Sequence, residues 1–202
     1  KPTVNEGFKE YNYSFFREEI TEFVDYYLPL LNATSDQKQE FLQIWTEEFE
    51  KLNFKWDSFV HKDFEFSNLM YLPHKENLMK CGILDFQNAF IGFLGWDIFS
   101  LLENPRINFD EKYNQGLIEY FYNKSVKKIS YKDFLTQYFF LNTARQTRII
   151  GRWVNLDNKN NNNYYQSNFH AVTIKRLKKS LFNLKNKQLN NLYETILENE
   201  KF

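Results

Sequence analysis

The chain has 202 residues, with 26 basic and 26 acidic side chains and no formal net charge. Hydrophobic residues make up 43% and aromatics 19%, which is enough to bury a core and argues against disorder. Nothing in the global charge draws it to nucleic acid or an anionic membrane, no apolar run reaches a membrane span, and no signal peptide is visible, so neither partner is expected.

Phe15, Phe16, Ile20, Phe23, Val24, Tyr27, Leu28 and Leu31 recur at three- and four-residue steps. They predict an amphipathic helix ending near Pro29 to Asn32. Thr34-Ser35-Asp36-Gln37 reads as a capping box opening a second helix, with Phe41, Leu42, Trp45, Phe49 and Leu52 on one face. Between Trp56 and Phe86 the apolar runs shorten to Phe59-Val60, Leu69-Met70-Tyr71-Leu72 and Ile83-Leu84. These predict short strands, with Pro73 to Lys80 as a hairpin-like connection. Cys81 lies in this stretch and reads as a buried, inert thiol. As the single cysteine it excludes a disulfide within the chain, which fits a reducing, cytoplasmic setting. One cysteine and three scattered histidines also cannot build a Cys/His zinc site.

Helices return from Trp96. Tyr113, Leu117, Ile118 and Phe121 mark one, and Ser130 can cap a longer one through Ile149. Leu177, Leu181 and Phe182 mark another, and Leu189, Leu192, Tyr193 and Ile196 the last. The Asn-rich run from Asp157 to Asn163 reads as an exposed loop. The class is therefore α+β and mainly helical, with a few short strands in the middle of residues 1–202 supporting an active-site loop.

That loop carries the chemistry. Phosphoryl transfer needs a carboxylate to orient the acceptor hydroxyl and take its proton, and oxygen ligands to hold Mg²⁺ on the phosphates. His61-x-Asp63-x-x-x-x-Asn68 has the spacing of a kinase catalytic loop. Asp63 would be the base, and Asn68 would offer its amide oxygen to Mg²⁺. Asp85, just after Ile83-Leu84, sits where a second metal ligand is expected. The bland alternative is that Asp63 and Asn68 are ordinary loop residues in an Asn-rich chain. His61 reads as a brace for the loop more readily than as an acid or base.

Other charged residues are less specific. Asp97 opens an apolar helix, where an acid either caps the helix or reaches across to the catalytic loop. Arg145 and Arg148 share a helical face, and Glu19 lies on an aromatic-rich helix. On pattern alone these read as surface charges, as do Lys175, Arg176, Lys178 and Lys179. His74 and His170 read as solvent-facing. No glycine-rich phosphate loop and no Walker sequence is present. The lobe that grips the nucleotide is therefore expected to lie outside this chain, which opens with Lys1 rather than Met.

The runs from Val60 to Pro73, from Gly82 to Ala89 and from Trp96 to Leu102 resemble the aminoglycoside phosphotransferase superfamily. Within it, the chain is most similar to the anomeric N-acetylmuramate/N-acetylglucosamine kinases of bacterial cell-wall recycling. Arg17 to Leu28 and Ala144 to Gly151 resemble that branch's flanking helices. The resemblance implies the C-terminal lobe of a protein-kinase-like fold, using ATP and Mg²⁺ to phosphorylate a sugar or amino-sugar hydroxyl. It implies Asp63 as base, Asn68 and Asp85 as metal ligands, His61 and Asp97 as loop supports, and Glu19 and Arg145 as acceptor-binding residues. Asn88, Asn104-Pro105 and Ala144 depart from the branch and leave the sugar open. An aminoglycoside or choline-type acceptor, or a non-catalytic binding module, are the alternative expectations.

Overall fold

The computed structural model describes residues 7–52, 56–107, 109–125 and 129–198. They are mainly helical with a few short strands. The chain divides into two compact units, one of Lys1–Tyr11 and Lys55–Phe134, the other of Asn12–Phe54 and Leu135–Phe202.

The first unit holds the strands. Strand β5 (Phe90–Gly92) pairs in parallel with β1 (Lys9–Glu10) and antiparallel with β2 (Ser58–Val60), where Val60 faces Phe90. All of β5 is buried, as suits a strand flanked on both edges. A separate hairpin pairs β3 (Leu69–Tyr71) with β4 (Cys81–Ile83), joined through a 3-10 turn at Asn77–Lys80. Cys81 is exposed, not buried as its apolar neighbours suggested. Its strand belongs to a two-stranded ribbon most of whose side chains face solvent. Helices α3 (Trp96–Leu102) and α4 (Glu111–Lys124) complete the unit. Its core is aromatic: Trp96 lies 5.0 Å from Tyr11 and 5.1 Å from Phe90, and Phe93 lies 5.4 Å from Phe134. Each such buried ring contributes about 1.5–3 kcal/mol over an exposed one.

The second unit is helical. Helix α1 (Tyr13–Tyr26) is capped by the Asn12 side chain and buries Phe16, Ile20, Phe23 and Val24. A 3-10 turn at Leu28–Leu31 ends at Asn32, whose φ of 56° stops the helix where expected. Helix α2 (Ser35–Glu50) opens with the predicted capping box: Gln37 N–H donates to Thr34 Oγ1 at 3.2 Å, and Thr34 N–H to Gln37 Oε1 at 2.8 Å. Helices α5 (Tyr131–Asn160), α6 (Tyr164–Leu184) and α7 (Lys187–Leu197) follow. Stacked rings pack the interior, with Phe23 5.1 Å from Phe41 and Phe16 5.9 Å from Phe140. Trp45 Nε1–H donates to the Tyr193 hydroxyl at 3.2 Å, and that hydroxyl also bonds Thr147. Burial pushes the Tyr193 phenol well above its ordinary range.

Three expectations about this unit are corrected. The Asn-rich run is not a loop throughout, because α5 continues to Asn160 and Asp157 is 1% exposed. The Asp157 carboxylate accepts the Tyr165 and Gln166 N–H groups, both at 2.9 Å, and so caps α6. His170 is half-buried against the Tyr27 ring rather than solvent-facing, and burial lowers its pKa. Arg176 is buried while Lys175 and Lys178 are exposed, because it shares the inward face of α6 with Thr173, Ile174 and Leu177.

Candidate active site

Strand β2 delivers the chain to His61, and Lys62 then adopts a left-handed backbone with φ of 77°. A lysine carries a steric penalty there, so the loop must be held by its surroundings. Helix α3 holds it. Asp97 Oδ2 accepts the His61 N–H at 2.9 Å, Asp97 Oδ1 accepts the Lys62 N–H at 3.1 Å, and Ser100 Oγ donates to the Lys62 carbonyl at 3.2 Å. Asp97 and Ser100 are three residues apart and therefore neighbours on the helix surface. Burial raises the Asp97 pKa, and the two N–H donors partly oppose that rise. Of the two readings left open for Asp97, its bonds are those of a residue reaching across to the loop.

Asp63 is half-buried at the head of the loop. Its carbonyl accepts the Glu65 N–H at 2.9 Å and the Asn68 side-chain N–H at 2.8 Å. The loop therefore curls back on itself, and with its nitrogen so engaged Asn68 turns its amide oxygen the other way. Asn68 also accepts the Leu84 N–H on its carbonyl at 2.9 Å, which ties the loop to the end of β4. His61 ties it a second time: its ring Nε2–H donates to the Leu84 carbonyl at 2.8 Å. The ring's Nδ1 is buried without a hydrogen-bond partner, an arrangement suited to bracing rather than to relaying protons. Asp85 comes next, with φ of 66° and an exposed carboxylate. The first unit thus joins His61, Asp63, Asn68 and Asp97 in one network that ends at Leu84, the residue before Asp85.

The donor set suits a hard cation. An amide oxygen and a carboxylate are oxygen ligands of the kind Mg²⁺ takes. Among the described residues no group of three or more His, Cys, Asp or Glu side chains could hold a metal alone. A cation here would need further oxygens from a substrate, as Mg²⁺ bound with nucleotide phosphates does.

Several polar residues of the site were not singled out by sequence. Asn88 Nδ2 donates to Asp63 Oδ2 at 3.3 Å. Glu65 is held by Asn104 at 2.6 Å, by Arg106 at 3.3 Å and by Ser67 at 3.0 Å. In the sequence Asn88 and Asn104 stand out only as departures from the branch's pattern, and Ser100 does not stand out. The three-residue step from Asp97 was the available signal for Ser100.

The second unit carries Glu19 and Arg145. Both are buried, at 7% and 8% exposed, so the surface reading of their pattern is corrected. Glu19 lies on the same face of α1 as Phe16 and Phe23, and Arg148 Nη1 approaches its Oε1 at 3.6 Å. One turn on, Glu22 Oε1 accepts from Arg152 at 3.0 Å and from Asn155 at 3.1 Å. Two clefts of about 430 and 420 Å³ also lie in this unit, along α7, and neither is lined by Glu19 or Arg145.

A family model described as the phosphotransferase enzyme family matches residues 12–125, more than half of the chain and all of the first unit's candidate residues. The chain belongs to the phosphotransferase enzyme family. A curated relative, the N-acetylmuramate/N-acetylglucosamine kinase of Caulobacter vibrioides, is 28% identical over 98 residues. That alignment covers 48% of this phosphotransferase-family chain and 27% of the relative. Family and relative agree with the resemblance carried by the motifs. The matched range includes Glu19 and stops before Arg145. Among the described residues no helix is long and apolar enough to cross a membrane.

Proposed function

We propose that this chain carries the phosphoryl-transfer site of an ATP- and Mg²⁺-dependent kinase whose acceptor is the hydroxyl of a small molecule, an amino sugar first among them. The observation behind the proposal is the joined loop pair: Asp63 and Asn68 locked to each other, and both tied through Leu84 to Asp85. Asp63 orients the acceptor hydroxyl and takes its proton as oxygen attacks the γ-phosphorus and ADP leaves. Asn68 and Asp85 would hold Mg²⁺, which when bound neutralises phosphate charge. The β3–β4 hairpin exposes Met70, Tyr71, Leu78, Met79 and Ile83, an apolar surface suited to a nucleotide base.

Glu19 and Arg145 are proposed to contact the acceptor. Arg148 stands 3.6 Å from the buried Glu19, and the buried Arg145 lies one turn before it on α5, charges that suit a neutral or anionic sugar better than a polycationic acceptor. With no glycine-rich loop in its sequence, the 202-residue chain alone is expected to bind Mg-ATP weakly.

The test is a phosphorylation assay of the full-length protein with Mg-ATP and a panel of amino sugars, with aminoglycosides and choline as competitors. Asp63→Asn should lower kcat by about 10²–10⁴-fold. Undiminished turnover in that variant would sink the assignment. Competition by choline or an aminoglycoside, with no amino sugar accepted, would move the acceptor class instead.

A further inference from the structure

We propose that Ser100 is a positioning residue: its hydroxyl works with Asp97 to hold Lys62 in the left-handed conformation that aims Asp63. The inference rests on the reading of Asp63 as the base. Lys62 has φ of 77°, a conformation disfavoured for an L side chain and therefore one that its surroundings must hold. Asp97 restrains the N–H side through the His61 and Lys62 amides. Ser100 restrains the other side, because the Lys62 carbonyl it binds belongs to the peptide that leads directly into Asp63. Rotation of that peptide would swing the Asp63 side chain away from its present direction.

Two observations mark this bond as more than filler. Ser100 is 1% exposed, so water cannot readily replace its hydroxyl. Three helical threonines turn back on their own helix: Thr46, Thr143 and Thr173 each donate to the carbonyl four residues earlier. Ser100 instead donates across to the catalytic loop.

The experiment compares Ser100→Ala in two backgrounds, native Lys62 and Lys62→Gly, in the full-length protein. Glycine adopts positive φ without a Cβ penalty, so it removes the strain Ser100 is proposed to hold. With Lys62 present, Ser100→Ala should lower kcat about tenfold and leave the KM for ATP within about twofold. In the Lys62→Gly background, the same change should cost no more than about threefold. Amide hydrogen exchange supplies a readout that needs no turnover. In Ser100→Ala the amide at position 62 should exchange about tenfold faster relative to the interior of α3, and the Lys62→Gly background should restore its protection.

An equal loss of kcat in both backgrounds would overturn the inference. So would exchange at position 62 that merely follows α3, the signature of a general loss of stability. If the full-length protein phosphorylates nothing, the base assignment fails, and the exchange comparison still decides whether Ser100 holds the loop.

Discussion

His61 and Leu84 join the two carboxylate-bearing segments of the site, with the imidazole Nε2–H donating to the Leu84 carbonyl at 2.8 Å, one residue before Asp85. Because His61 is also gripped by Asp97 through its backbone, it fixes the Asp63 loop and the Asp85 segment to one helix. His61→Ala leaves a carbonyl without its donor and a void where a 4%-exposed ring had been. The expected cost is about 2–4 kcal/mol of stability, read by denaturant melts, and on the order of 10-fold or more in kcat. Unchanged kcat in a folded His61→Ala protein would show that the tie does not set the reactive geometry.

Asp97 should impose a pH dependence with opposite signs on activity and stability. Burial raises its pKa above the ordinary 3.8. Between 3.8 and the raised value the folded chain binds more protons at this group than the unfolded chain. Its contribution to stability is therefore fully present below 3.8, is lost as pH rises through the folded value, and stays constant above it. Activity runs the other way, because protonation puts a hydrogen on one of two oxygens that each face an N–H donor. An acid limb in kcat is expected to begin above the usual aspartate range. Asp97→Asn should abolish that limb, remove the matching fall in melting temperature with pH, and lower kcat by about 100-fold at every pH.

What could be read from sequence was local or chemical. The Thr34 capping box needs residues three apart, and the Asp63–Asn68 spacing encodes a single turn of chain. What escaped depends on partners distant in sequence. Strand β1 is only Lys9-Glu10, two exposed polar residues that become a strand by pairing with β5 some eighty positions on. Strand β5 lies in the apolar run Phe90 to Leu94, too short for periodicity to separate strand from helix. Asp157 looked like part of a polar loop because its role is to cap the following helix, eight residues away. Arg145 looked superficial because a charged residue is ordinarily exposed, yet α5 also buries Gln146, Thr147 and Asn155.

The Glu19–Arg148 pair should behave as a coupled unit. Glu19 is 7% exposed, so removing the Arg148 guanidinium takes positive charge from beside a buried carboxylate. Arg148→Met is expected to cost about 2–4 kcal/mol, and Glu19→Gln less. The double variant should be more stable than the sum of the two losses by about 1–2 kcal/mol. A double-mutant cycle of urea denaturation measures this, and strict additivity would mean that the 3.6 Å approach carries no coupling.

Gly151 shows how closely α5 approaches α1. A Cβ built on it would lie 2.4 Å from the Glu22 carbonyl oxygen, 2.6 Å from the Glu22 carbonyl carbon and 2.7 Å from the Phe23 Cα. All three are backbone atoms, so no side-chain rotation relieves the clash, and α1 would have to move bodily away from α5. The movement would also stretch the Arg152–Glu22 and Arg148–Glu19 pairs that flank the contact. Helix propensity works the other way, since alanine is favoured over glycine in a helix interior by about 1 kcal/mol. The clash should dominate, and Gly151→Ala is expected to destabilise the chain by about 3 kcal/mol or more, a fall in melting temperature of roughly 6–12 °C. Gly116 is the internal control: it lies in α4, a Cβ there meets nothing within 4 Å, and Gly116→Ala should raise the melting temperature slightly. A Gly151→Ala protein as stable as Gly116→Ala would show that the two helices do not approach this closely in solution.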